Sequence, residues 1–191
     1  FPYTGDIKDI GYAQGKYYAV NVPLKNGIDD ESYDNLFDYI VEHIVSWYSP
    51  NAVVLQCGAD SLAGDRLGCF NLSIEGHAHC VRKMASFGIP LILLGGGGYT
   101  LRNVATCWTS ETAAILGVDI SNDIPYNEFL HFYGPEYTLN VNLPPMTNQN
   151  TPEFINQIIE AVTENLRHLP GAPCIFPLGD KLHVIDEWDN E

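Results

Sequence analysis

The sequence predicts an α/β domain, an open and mostly parallel sheet with helices on both faces. Three observations carry that prediction. Short apolar stretches of strand length alternate with longer stretches whose apolar residues recur at i, i+3 and i+4. Residues 91–94 (LILL) form an uninterrupted apolar run, as a strand buried on both faces requires. Gly95 to Gly98 follow that run directly, then Tyr99 and the opening of a helix. Glycines permit backbone angles and close approaches that any side chain forbids. Open α/β sheets bind their ligands at the carboxyl ends of strands, so Tyr99 stands at an active-site position on architecture alone.

In chain order, residues 1–15 are rich in Gly, Asp and aromatic side chains and read as a loop. Residues 16–24 (KYYAVNVPL) have strand composition and lead to a turn at Gly27. Asp29 or Asp30 can cap a helix running to Tyr48, with Leu36, Phe37, Ile40, Val41, Ile44 and Val45 on its apolar face. Pro50 stops it. Residues 52–57 form the next strand, and a polar, glycine-punctuated loop spans 58–71. Ser73 caps a second helix to about Phe87, and Pro90 precedes the strand at 91–94. A third helix covers 101–116 and ends at Gly117. The order strand, helix, strand, helix, strand, helix suits parallel crossovers.

After Gly117 the pattern loosens. Residues 121–147 are aromatic and proline-rich, with one short strand expected at 137–141. Thr151 and Pro152 then supply the cap and first residue of a last helix carrying Ile155, Ile158, Ile159, Val162 and Leu166. From Pro170 the chain reads as a loosely held acidic tail.

With 191 residues, 46% of them hydrophobic, the chain can bury one good core. Its apolar runs are too short to cross a bilayer, so no membrane association is expected. The first residues are Phe-Pro, with neither a methionine nor a signal peptide, and an upstream part is expected. Cys57, Cys69, Cys80, Cys107 and Cys174 are scattered without a C-x-x-C pair, which favours free thiols in a reducing compartment. A formal charge of −15 disfavours direct binding to DNA phosphates and suits basic partners.

Two strands end in loops that can meet above the sheet: residues 58–68, and the glycine run with Tyr99. Consecutive parallel strands feed such loops to one edge, so Asp60 and Tyr99 can share a site. A carboxylate there can ligate a metal or act as a base. A tyrosine hydroxyl can donate to a developing oxyanion. The alternative is that Asp60 caps a turn and Tyr99 packs on the sheet edge.

Other motifs fail on spacing. A dinucleotide fingerprint G-x-G-x-x-G needs glycine where Gly95 and Gly96 registers find Thr100 and Leu101. No phosphate-binding G-x-x-x-x-G-K-[ST] loop or G-x-S-x-G elbow occurs. His77, His79 and Cys80 resemble a metal cluster, but positions i and i+2 of a helix diverge and cannot chelate together. Trp108 and the remaining histidines read as structural or solvated.

Residues 58–77 (GADSLAGDRLGCFNLSIEGH) and 94–112 (LGGGGYTLRNVATCWTSET), with residues 27–30 (GIDD) and 148–150 (NQN), resemble the C-terminal half of a class I histone deacetylase. The likeness runs over residues 1–173 and leaves 174–191 as the acidic tail. It implies the arginase/deacetylase fold and zinc-dependent hydrolysis of N-ε-acetyl-lysine. By this resemblance Asp60 is a carboxylate ligand of the catalytic zinc. Tyr99 hydrogen-bonds the acetyl carbonyl and its tetrahedral intermediate. Phe1 walls the acetyl-lysine channel, Leu67 lies at its rim, and the Gly97 carbonyl contacts the substrate amide. Tyr18 contributes backbone to a structural potassium site. Arg66 and Arg102 help bind an inositol phosphate between enzyme and corepressor. The implied partners are acetylated histone tails, other acetyl-lysine proteins and corepressor subunits, in the nucleus or also the cytoplasm.

The chain also departs from that family. The paired histidines that serve as general base and acid are absent, as are the Asp-x-His zinc ligands and the second channel phenylalanine. Tyr3, Thr106 and Ser110 stand where class I members usually show Gly, Arg and Tyr. Catalytic zinc takes three protein ligands, so the isolated chain is expected to be inactive. The alternative expectation is a non-catalytic, truncated paralogue that binds corepressor partners.

Overall fold

The computed structural model describes residues 4–140 and 146–169. They build α1 (Asp30–Tyr48), β1 (Val53–Cys57), α2 (Ile74–Ser86), β2 (Leu91–Gly95), α3 (Leu101–Leu116) and α4 (Pro152–Arg167). Local chemistry sets the helix ends. Asp29 accepts from the Ser32 N–H at 3.1 Å, Ser73 from Gly76 at 3.1 Å, and Thr151 from Phe154 at 3.3 Å. At the far ends, Ser49 and Gly117 take left-handed backbone angles that stop α1 and α3.

Strands β1 and β2 pair in parallel, Val53 opposite Leu91 and Cys57 opposite Gly95. The α/β class and the parallel pairing are as the sequence predicts. Among the described residues the sheet has two strands. Side chains alternate across it, so Val53, Leu55, Leu91 and Leu93 are half-buried, whereas Val54, Ile92 and Leu94 are 63%, 56% and 47% exposed.

Two expected strands are corrected. Residues 16–24 contain a turn and irregular extended chain, with no ladder. Val20, Val22 and Leu24 instead pack against a core of Leu36 and Ile40 from α1 with Ile158, Val162 and Leu166 from α4. Their apolar composition is used in packing, but no neighbouring strand is present among the described residues. At 137–141 the described part shows a single antiparallel bridge between Thr138 and Asp123. The last residue of that range, the calls on Phe1, Tyr3 and Cys174, and the acidic tail lie outside the described residues.

A second core joins the sheet end to α2 and α3 through Ala59, Leu62, Ile74, Val104 and Cys107. Trp108 caps it, donating its ring N–H to the Cys57 carbonyl at 2.8 Å. Between α1 and α2, the Asp30 carboxylate accepts from the Ser73 backbone N–H at 2.8 Å and from its hydroxyl. His79 reaches Asp38 at 3.0 Å and Lys83 reaches Asp38 at 3.4 Å. The Asn150 side chain closes the other end of the molecule, accepting from Lys25 N–H at 2.7 Å and donating to its carbonyl at 2.9 Å. Cys57 and Cys107 are buried, Cys80 is half-buried and Cys69 is exposed; all four are free thiols. Among the described residues no helix is long and apolar enough to cross a membrane.

Asp30 supports two helices through one carboxylate. Asp30→Ala is expected to destabilise the fold by about 1–3 kcal/mol, because it leaves the donors of Ser73 unpaired. Urea unfolding of the two proteins measures this, with Asp30→Asn recovering part of the loss.

Candidate functional site

The site forms where β1 and β2 end. Because the strands are parallel and adjacent, the loop after Cys57 and the loop after Gly95 emerge side by side. The Ala59 N–H donates to the Gly97 carbonyl at 2.7 Å, closing the two backbones together. Asp60 is the central residue of a 3-10 turn, Ala59–Ser61, immediately beyond β1.

Glycine is required at this junction. A Cβ on Gly97 would overlap the Asp60 carboxylate, so only glycine lets that backbone lie against it. Gly98 has φ +142°, a conformation L side chains rarely adopt, and a Cβ there would meet Val104 and Ala59. The glycine run therefore serves close approach to Asp60 on one side and to the second core on the other.

Asp65 fastens the loops. Its Oδ1 accepts from the Leu67 and Gly68 N–H groups at 2.8 and 2.9 Å, and its Oδ2 accepts from the Tyr99 N–H at 2.8 Å. Partial burial raises this carboxyl, but the backbone N–H groups of Tyr99, Gly68, Leu67 and Thr100 outweigh that and hold it below the usual carboxylate range. Thr100 contributes again, its hydroxyl donating to the Gly64 carbonyl at 3.0 Å rather than capping α3.

The predicted residues thus divide. Asp60 lies against the Gly97 backbone, and the backbones of Leu67 and Tyr99 meet on one carboxylate. The Gly97 carbonyl accepts from Ala59 and keeps a second lone pair. The Tyr99 side chain is 45% exposed and Leu67 is 73% exposed. The turn-capping role weighed for Asp60 belongs to Asp65. Arg66 and Arg102 are exposed, and neither forms an ion pair among the described residues. Tyr18 stands apart, its ring edge-on to Tyr48 at the end of α1. The cleft of about 610 Å³ between α3 and the segment that follows it is lined by Ile120, Ile124, Phe129 and Leu139, not by Asp60 or Tyr99.

His77 and His79 diverge, as their spacing requires: His79 faces Asp38, and His77 faces inward to Glu111 and Ser61. Among the described residues His77, Cys107 and Glu111 form the one cluster of three potential metal-ligating side chains, all buried. Sequence reasoning missed Glu111, which sits in α3 among residues of helical period. An acidic residue on an apolar helix face was the available signal. Burial, then the Glu111 carboxylate, pushes the Cys57 thiol up to about 12, and the same causes push Cys107 up.

Fit to zinc rests on Asp60. Its carboxylate is a hard oxygen donor at a strand end, and among the described residues no donor hydrogen-bonds it. It fits one position of a three-ligand catalytic site.

Because the Asp65 carboxyl is held below its unfolded value of about 3.9, it contributes stability above that pH. The contribution is lost as pH falls through the folded value. Asp65→Asn is expected to remove this acid-range slope and to loosen residues 64–68 and 97–100 at neutral pH. Unfolding midpoints between pH 3 and pH 7, with amide exchange at Leu67, Gly68 and Tyr99, measure both effects.

Comparison with known proteins supplies the family. A family model described as the histone deacetylase domain matches residues 1–115. Histone deacetylase 1 of Homo sapiens is 56% identical over 175 residues, covering 92% of this chain and 36% of the relative. Type-1 histone deacetylase 1 of Dictyostelium discoideum is 53% identical over 196 residues, covering 100% of this chain and 39% of the relative. Histone deacetylase clr6 of Schizosaccharomyces pombe is 54% identical over 175 residues, covering 92% and 43%. The chain spans well under half the length of these relatives. Parallel strand ends, a glycine bed under a carboxylate and these identities together make the chain a member of the histone deacetylase family.

Proposed function

We propose that this chain supplies one wall of the active site of a zinc-dependent lysine deacetylase. The carrying observation is that the Asp60 turn and the Tyr99 loop are locked together at one sheet edge through Ala59, Gly97 and Asp65. Zinc, held by Asp60 with two ligands from outside this chain, supplies Lewis-acid polarisation of an amide carbonyl and of water. Tyr99 is the chain's own electrophile: its hydroxyl donates a hydrogen bond to the acetyl carbonyl oxygen, and does so more strongly as negative charge develops there. The glycine run keeps side chains away from the path of the acetyl group. Leu67 stands at the rim of a narrow channel whose apolar walls suit the four-carbon stem of lysine.

The general base and acid come from outside this chain, and the isolated 191-residue chain is inactive on this reading. The substrates in view are acetylated histone tails and other acetyl-lysine proteins, and the setting is nuclear repression of transcription. The backbone of Tyr18 contributes to a potassium site. A second reading, a non-catalytic product that binds corepressor subunits, draws on the exposed Arg66 and Arg102, neither of which forms an ion pair among the described residues. Both suit an inositol phosphate shared with a partner.

In the complete deacetylase domain, Tyr99→Phe is expected to lower kcat about 10²–10³-fold with zinc content unchanged. Asp60→Ala is expected to lose the zinc itself. Unchanged turnover on an acetyl-lysine peptide would remove the proposed role of Tyr99. For the isolated chain, metal analysis is expected to find no stoichiometric zinc. One tightly held zinc per chain together with turnover would overturn the division of the site. Inositol phosphate binding to an inactive chain, abolished by Arg66→Ala, would favour the second reading.

A further inference from the structure

Glu111 is 2% exposed, and among the described residues neither lysine nor arginine pairs with it. A buried carboxylate needs compensation. Its Oε1 lies 3.1 Å from His77 Nδ1 and accepts from the Cys107 thiol at 3.6 Å. Across the imidazole, His77 Nε2 lies 2.7 Å from Ser61 Oγ. The Ser61 hydroxyl in turn donates to the Gly58 carbonyl at 3.3 Å. Both ring nitrogens of His77 therefore have a partner, Glu111 on one side and Ser61 on the other, and Ser61 passes the chain on to the Gly58 carbonyl.

This chain of hydrogen bonds runs from α3 through α2 to the residue that follows Asp60. It ends on the 3-10 turn whose other end is tied by Ala59 to Gly97. The Asp60 carboxylate itself has no hydrogen-bond donor among the described residues, so its direction is set through the turn that carries it. Glu111 and His77 are buried, and the same elements carry the buried apolar cluster of Ala59, Leu62, Ile74, Val104 and Cys107.

We propose that Glu111, His77 and Ser61 form a positioning relay that fixes the Asp60 turn from behind, orienting Asp60 for metal. This rests on the reading of Asp60 as a zinc ligand. The relay is not itself a metal site. Its thiol is held protonated by burial and by Glu111, and Glu111 Oε1 and both His77 ring nitrogens already have partners.

The test uses the complete deacetylase domain and reads zinc affinity by chelator competition, with kcat and KM measured apart. Ser61→Ala removes the link and leaves the buried Glu111 and His77 pair in place. It is expected to weaken zinc binding about 10-fold, within the range found for residues that orient metal ligands, and to lower kcat while KM holds. Ser61→Thr, which keeps the hydroxyl, is expected to restore affinity to within about twofold. Glu111→Gln should act in the same direction. If Glu111→Gln fails to fold, the two Ser61 variants decide the matter. Zinc affinity unchanged in Ser61→Ala, while Asp60→Ala loses the metal, would overturn the relay and leave the site reading standing. Zinc affinity unchanged in Asp60→Ala would overturn the site reading and the relay with it. Loss of a second zinc equivalent on Cys107→Ser would also overturn the proposal, because the cluster would then be a metal site.

Discussion

Parallel pairing of β1 with β2 is the constraint from which the rest of the site follows. Two adjacent strands running the same way must release their next loops at the same edge, so residues 58–71 and 96–100 have no choice but to meet. What they do on meeting depends on the side chains at the contact. Gly97 carries none, which lets its backbone lie against the Asp60 carboxylate. Asp65 carries a carboxylate with two oxygens, enough to take N–H groups from both loops at once. Antiparallel pairing would have sent the same two loops to opposite ends and left both aspartates without purpose.

Polar groups in this molecule are placed on two sides of the same turn, and the two sides answer to different physics. In front, Asp60, Leu67 and Tyr99 are partly open to solvent, where a ligand can reach them. Behind, Glu111 and His77 are buried, where an unpaired group would cost several kcal/mol. Buried polar chains of that kind are worth keeping only if every member is satisfied. In the relay, Cys107, His77, Ser61 and Gly58 each have a hydrogen-bond partner. The relay gives the front of the site a rigid support, on a scaffold that also exposes the Val54, Ile92 and Leu94 face of its sheet.

Much of the fold was legible in the residues because helices are local objects. Their caps, apolar spacing and stop residues lie within a turn of where they act, and all four helices appear within a residue or two of their expected bounds. The stretch at 16–24 was not legible in the same way. Valine and tyrosine suit a strand, but a strand exists only with a neighbour to pair with, and its valines found the α1 and α4 core instead. Among the site residues, Asp60 and Tyr99 could be singled out because each directly follows an apolar run that ends in glycine.

By itself, then, the sequence determined the family, the helices and the edge at which chemistry must lie, since motif, period and strand end are written over short spans. Only the tertiary structure decided which acidic residues act as ties. Asp65 binds Tyr99, and Glu111 binds His77, each across 34 residues of chain. Local composition can mark Glu111 as an acid on an apolar helix face, but it does not say which donor either carboxylate will meet. Their roles arise when packing removes water and leaves one particular donor within reach.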